Sequence, residues 1–188
     1  GGEYNSKYIV KCLKKYKVKY EKVKLINVAH IISKGNIVGF FQGRSEYGPR
    51  ALGNRSILAD ARNPKMRNYI NSKVKHREIF RPFAPAILEE FSEKYFDINY
   101  SPYMLQVAQV NESEQRVMSE TEKSLFGIDK LNVPRSTIPA VTHVDDSARV
   151  QTVRRSDNPV FYDILRAFYE KTRCPVRAAC TAMAAARR

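Results

Sequence analysis

The spacing of apolar positions predicts alternating helices and strands. In residues 7–24, Ile9, Leu13 and Tyr16 or Tyr20 recur at helical intervals among lysines, and Asn5 is placed to cap a helix running to about Tyr16. "NVAHIISKG" predicts a second helix, with Asn27 as its cap and Gly35 as its stop. "NIVGFFQ" has the β-branched and aromatic content of a buried strand, and "SILAD" reads as another. Asn63-Pro64 opens a helix that carries Met66, Tyr69, Ile70 and Val74 at helical spacing. "FRPFAPAILEE" holds two prolines and then a strand, and "SEKYFDI" supplies one or two helical turns. "PYMLQVAQV" and "ARVQTV" predict strands, and "CPV" starts a last one. Between them "NPVFYDILRAFYEKT" is an amphipathic helix with Asn158 as cap and Pro159 in its first turn. No internal repeat appears, and the alternation argues for an α/β architecture on a mixed sheet.

Two stretches depart from this pattern. Residues 111–139 are polar, acidic and irregular, as expected of a mobile connection or lid. The last residues, "RAACTAMAAARR", lose amphipathic logic and hold six alanines, which reads as a helical tail or as an altered natural end. The expected organisation is a lysine-rich helical lead-in over 1–24, an α/β domain over 25–176 and an atypical tail over 177–188.

Charge changes the picture. The 188 residues carry a formal net charge of +14, which favours anionic partners. Residues 44–81 hold ten Lys or Arg against Glu46, Asp60 and Glu78, whereas residues 89–130 hold nine acids against four bases. The excess is therefore concentrated. No apolar run approaches the roughly 18 residues of a membrane span, and "GGEYNSKY" has no apolar core of a signal peptide. The odd set Cys12, Cys174 and Cys180 has no CxxC pairing and fits a reduced, cytoplasmic protein.

The concentrated charge coincides with "FQGRSEYGPRALGNRSILADAR", where Gly43, Gly48 and Gly53 recur every five residues behind Gly39. No Gly-Lys-Ser/Thr ends the segment and GxGxxG spacing is absent, so it is not a P-loop. Glycines let backbone N–H groups approach a ligand, and arginine forks suit phosphate oxygens. The alternative is a turn whose arginines pair with Asp60, Glu46 or other acids. Other constellations are thinner. His143-Val-Asp145-Asp146 offers half a metal site with only His30 and His76 elsewhere; Glu89 and Glu90 would face opposite ways on a strand and make a poor acid/base pair.

"GFFQGRSEYGPRALGNRSILAD", then "INSKVKHREIFRPFAPAILEE" and "PAVTHVDDSARVQTV", resemble in order the C-terminal domain of the NodU/CmcH-type O-carbamoyltransferases over about residues 25–176. The resemblance implies a YrdC-like open twisted mixed sheet with flanking helices around a basic cavity. It also implies that this domain takes ATP, with Mg2+, and carbamoyl phosphate to form carbamoyladenylate and pyrophosphate. A preceding actin-like domain, which carries the family's metal site on histidines not in this chain, then passes the carbamoyl group to a hydroxyl acceptor. The positions carried over are Arg50 of "YGPR", Lys75 of "KVK", Arg81 of "FRPFAP" and Arg149 of "SARVQTV". Lys75 is expected near the transferring centre, Arg50 and Arg81 on phosphate oxygens and Arg149 as a clamp from the facing strand, with Arg44, Asn54 and Arg55 as further ligand-binding candidates. The family's "NTSFN"-type segment after "CPV" is replaced here by "RAACTAM", and Ile79 stands where the family has proline. The chain alone is therefore expected to be impaired as a catalyst.

The rival expectation is a nucleic-acid-binding module using the basic concavity. Against it, Phe40, Phe41 and Tyr47 sit in or beside a strand pattern and read as core, not as stacking platforms. Homodimer formation is left open.

Overall fold

A computed structural model describes residues 2–181, so expectations for residues 182–188 lie outside the described residues. In chain order the helices are α1 (Ser6–Lys15), α2 (Leu25–Ser33), α3 (Met66–Tyr69), α4 (Ser92–Tyr95), α5 (Glu120–Lys123), α6 (Gly127–Asn132) and α7 (Pro159–Thr172). The strands are β1 (Val38–Phe41), β2 (Arg55–Asp60), β3 (Ala84–Leu88), β4 (Val107–Gln109), β5 (Ser147–Arg149), β6 (Gln151–Val153) and β7 (Val176–Thr181). A five-stranded sheet has the order β1-β2-β7-β3-β6, and β4-β5 form a separate pair. Only β3–β6 is parallel within the main sheet, so it is mixed and open, as expected.

The apolar pattern explains the layering. β2 is buried throughout because β1 and β7 flank it and helices cover it. On α7, Phe161, Ile164, Leu165 and Phe168 fall at i, i+3, i+4 and i+7 and are all fully buried. Each such side chain contributes roughly 1.5–3 kcal/mol on burial. α7 packs against α2, β3 and β7, and α2 adds Ala29 and Ile32 to the same core. Asn158 caps α7 by accepting from the Phe161 N–H at 3.2 Å, with Pro159 at the first helical position. Asn5 caps α1 in the same way, at 2.8 Å from the Tyr8 N–H. α1 buries none of its residues. Among the described residues no helix is long and apolar enough to cross a membrane.

Several expectations are corrected. α2 begins before Asn27; Lys24 holds the cap position and the Asn27 N–H bonds its carbonyl at 3.0 Å. β1 is a half-exposed edge strand, not a buried one, because no strand among the described residues pairs beyond it. Asn63 and Pro64 form a turn, and the helix that follows is four residues long before it widens into a π-helical turn over Ile70–Lys75. His76, at φ +48°, ends that turn. "PYMLQVAQV" is strand only at Val107–Gln109. "ARVQTV" breaks at Val150: β5 pairs with β4, while β6 joins the main sheet. Residues 111–139 are irregular in part, but they hold α5 and α6: α5 has a full capping box from Ser119 and Glu122, Ile138 is buried in the core, and Arg135 is buried with its guanidinium on the Lys130 carbonyl at 3.0 Å. The boundary expected at 176 falls inside β7, so residues 177–181 are central sheet, not tail.

β7 brings one side chain that a central strand does not favour. Arg177 is fully buried, stacked on Phe168 at 4.3 Å and, among the described residues, bonded through one nitrogen alone, to the Ile164 carbonyl at 2.9 Å. Burial pulls its guanidinium down to about 9, partly opposed by Asp60 and Cys174.

Candidate functional site

The long loop between β1 and β2 is shaped by its own chemistry. Glu46 Oε1 accepts from the backbone N–H groups of Leu52 (2.8 Å), Asn54 (2.8 Å) and Arg55 (3.0 Å). Burial pushes the Glu46 carboxyl up, but those amides, with its own, outweigh it and hold it below the usual range. The backbone donors that the glycine spacing was expected to offer a ligand at this end therefore face a carboxylate of the chain itself. Gly43, Gly48 and Gly53 all have positive φ. Gly53 is the constrained one: at φ +102° an added Cβ would lie 2.3 Å from Phe161 Cδ1, so the loop can press on α7 only without a side chain there.

Across the loop, Gln42 Nε2 donates to the Gly53 carbonyl and to Asn158 Oδ1, both at 2.8 Å, and Asn158 Nδ2 donates to Asn54 Oδ1 at 2.9 Å. The loop is thereby tied to the cap of α7. Asn54 is used in this tie and in a bond from its amide to the Arg44 carbonyl at 2.7 Å.

What the loop leaves outward is Arg50. Arg50 and Ala51 line a cavity of about 250 Å³ with Lys75 and Arg77 from the end of the π-helical turn, Pro82, Phe83 and Ala84 leading into β3, Met104, His143, Arg149 of β5 and Ala179 of β7. Among the described residues four cations and one histidine line it, and no carboxylate does. Among the described residues neither Arg50 nor Arg149 has an acidic side chain within ion-pair distance. Arg77 is steadied by donating Nε–H to Asn71 Oδ1 at 2.7 Å and by lying 5.0 Å over the Phe83 ring. Asn71 is buried and also donates to the Ile79 and Arg81 carbonyls, which fixes the chain between the π-helical turn and β3.

Of the seven ligand candidates, the structure brings Arg50, Lys75 and Arg149 together in this cavity. The other four stand elsewhere. Arg81 is exposed and pairs with Glu78 at 2.9 Å, although its neighbours Pro82 and Phe83 line the wall. Arg55 is buried, lies 3.3 Å over the Phe41 ring and donates to the carbonyls of Gln42, Gly43 and Asn54, so its fork holds the loop. Arg44 is largely exposed, with Glu3 at 3.8 Å. Asn54 lines a second hollow of about 320 Å³ with Glu46, Tyr47, Asp157 and the β6 residues Gln151, Thr152 and Val153.

Sequence reasoning did not select Arg77 or His143 for this cavity. Arg77 had a signal in the "KVKHRE" charge cluster; His143 had none, since only the tertiary fold sets its turn beside Arg149. His143, Asp145 and Ser147 are instead bonded to one another: Ser147 Oγ donates to Asp145 Oδ1 at 2.7 Å and lies 3.1 Å from His143 Nδ1. Among the described residues no group of three or more His, Cys, Asp or Glu is placed to hold a metal ion. The expectation that Phe40, Phe41 and Tyr47 are all core is also corrected. Phe40 stacks toward Phe161 at 6.2 Å, but Phe41 is exposed beneath the Arg55 fork and Tyr47 is fully exposed.

Residues 29–180 match the family model described as "Carbamoyltransferase C-terminus". The chain is 54% identical over 150 residues to the uncharacterized protein sll1178 of Synechocystis sp., covering 79% of this chain and 24% of that protein. It is 40% identical over 154 residues to nodulation protein NolO of Bradyrhizobium diazoefficiens, covering 80% of this chain and 24% of that one. It is 41% identical over 138 residues to 3'-hydroxymethylcephem-O-carbamoyltransferase of Amycolatopsis lactamdurans, covering 73% of this chain and 22% of that enzyme. The chain thus spans about a quarter of the length of these relatives.

Proposed function

The chain belongs to the carbamoyltransferase C-terminus family, and on that premise we propose that its basic cavity binds the phosphate-bearing reactants of carbamoyl activation, ATP and carbamoyl phosphate. Transfer of the activated carbamoyl group to a hydroxyl acceptor then falls to a separate N-terminal part, in keeping with the much greater length of the relatives.

The observation that carries the reading is the convergence of Arg50, Lys75, Arg77 and Arg149 on one hollow that no carboxylate lines among the described residues. Both reactants are polyanions, and bringing a carbamate oxygen to an α-phosphate presses like charges together. Preorganised cations lower that repulsion, and fixed positions replace the entropy of finding the geometry in solution. In this reading Lys75 stands at the transferring centre, with Arg50 and Arg149 on phosphate oxygens from facing walls. With no carboxylate among the described lining residues, these do not form a magnesium site of their own; Mg2+ arrives bound to the nucleotide phosphates. Ala179 gives the β7 side of the cavity a methyl group, where the resemblance implies Ser and Asn donors close by. We expect ligand binding to survive this better than turnover.

Exchange of labelled pyrophosphate into ATP, dependent on carbamoyl phosphate, tests the proposal. Slow exchange that Arg50→Ala and Lys75→Ala abolish supports it. Exchange equal in both variants to the unaltered chain refutes the assignment. A nucleic-acid reading keeps some support from the exposed Tyr47 and the lysine-rich α1. Titration with a short RNA duplex separates the two: the cavity reading expects weak binding to the duplex that Arg50→Ala leaves unchanged.

A further inference from the structure

His143 stands in the wall of the basic cavity, and its ring is oriented from behind. The Ser147 N–H and hydroxyl both donate to Asp145 Oδ1, at 3.2 and 2.7 Å. A carboxylate only accepts, so the Ser147 hydroxyl proton is committed to Asp145. Toward His143 Nδ1, 3.1 Å away, that hydroxyl oxygen then acts as acceptor. The neutral ring accordingly carries its proton on Nδ1 and presents Nε2 as a bare acceptor. The turn is locked further by the His143 N–H donating to the Ser147 carbonyl at 2.8 Å, and Ser147 is buried.

Asp145 and Asp146 lie on its own turn, and Arg149 on β5, Arg50 from the loop before β2, and Lys75 and Arg77 from the end of the π-helical turn line the same cavity; Asp145 and Arg149 are the charges that bear on the ring. Burial disfavours the imidazolium most, Arg149 adds to that, and Asp145 opposes it. Arg149 in the same wall makes a further positive charge on the ring unwelcome until an anion enters. An entering phosphate reverses that balance, because an opposite charge within about 4–6 Å favours the charged form.

We propose that His143 is a proton-linked binding residue of this cavity: neutral without an anion, it takes a proton at Nε2 and donates to the phosphate group when one binds. The inference rests on the cavity reading given above. By reciprocity, anion affinity rises as pH falls through the range where His143 titrates, up to about tenfold for each unit by which the anion raises its pKa.

The test is nitrogen-15 NMR of the three histidines with titrations of sulfate, whose charge does not change between about pH 5 and 8, and of carbamoyl phosphate. Calorimetry in two buffers of different ionisation heat reads proton uptake in parallel. The expected result is an Nδ1–H tautomer in the free protein, a His143 pKa raised by about one unit or more by either anion, an unmoved His30, and proton uptake that His143→Gln removes. Anion binding that needs Arg50 but leaves the His143 titration unmoved overturns this inference and spares the carbamoyl-activation reading. A His143 shift with sulfate, but no binding of ATP or carbamoyl phosphate, supports the linkage and overturns that reading. Binding of no anion sinks both.

Discussion

Two hollows share a wall in this molecule and are opposite in character. The loop before β2 gives Arg50 and Ala51 to one and Glu46, Tyr47, Leu52 and Asn54 to the other. The break at Val150 repeats the division, sending Arg149 to the first and Gln151 to the second. Among the described residues the first is lined by four cations and no acid, the second by Glu46 and Asp157 and no Lys or Arg. The difference shows how a surplus of positive charge comes to line one hollow and not the other. Glu46 is occupied by three backbone amides, and Arg55 is occupied by three carbonyls. With both held in the fold, Arg50 has no acidic side chain within ion-pair distance among the described residues.

The strongest way to break the contrast is to give the basic hollow an acid. Arg149→Glu should weaken carbamoyl phosphate binding by about a hundredfold or more, since it removes one charge-assisted contact and adds a repulsion. Circular dichroism should remain that of the unaltered chain, because the Arg149 side chain makes no ion pair among the described residues.

A step down in size, Gly53→Ala attacks the shared wall itself. The new Cβ would meet Phe161 at 2.3 Å from a backbone at φ +102°. The combined overpacking and strain should cost about 2–4 kcal/mol in chemical denaturation. An unchanged midpoint would mean that the loop does not press on α7.

The smallest effect expected is at Glu46, which lines one hollow yet shapes the other. Glu46→Gln keeps an acceptor but loses the charge, and should cost about 1 kcal/mol near neutral pH. The folded carboxyl lies below its ordinary value of 4.5. Its contribution is therefore complete above that value and lost as pH falls through the folded value, where the unfolded chain binds the extra proton. Stability measured against pH in that acid window should be flatter for Glu46→Gln; an identical slope would contradict the amide nest.

Much of the scaffold was legible in the sequence, for local reasons. Asn158-Pro159 with apolar residues at i, i+3, i+4 and i+7 announces α7 whatever surrounds it. The run from Ile57 to Ala59 announces a strand buried on both faces. Less was legible where one pattern serves two partners. "ARVQTV" reads as a continuous strand, yet Val150 is a crossover between two sheets. The arginines of the β1–β2 loop divide along the same line. Arg50 and Arg55 have the same chemistry five residues apart, and the ring of Phe41 and three carbonyls alone decide that one holds the fold. His143 and Arg77 reach the cavity through turns whose geometry, a positive φ at Asp146 and at His76, leaves no periodic trace.

The claim beneath the rest is that Arg50, and not an equally basic neighbour outside the hollow, binds the phosphate of carbamoyl phosphate. Calorimetric titration of carbamoyl phosphate into the unaltered chain, Arg50→Ala and Arg44→Ala measures it directly. Affinity should fall about 10- to 100-fold in Arg50→Ala and stay within about twofold in Arg44→Ala, whose side chain is solvated. Equal losses in both variants, or none in Arg50→Ala, would contradict the account.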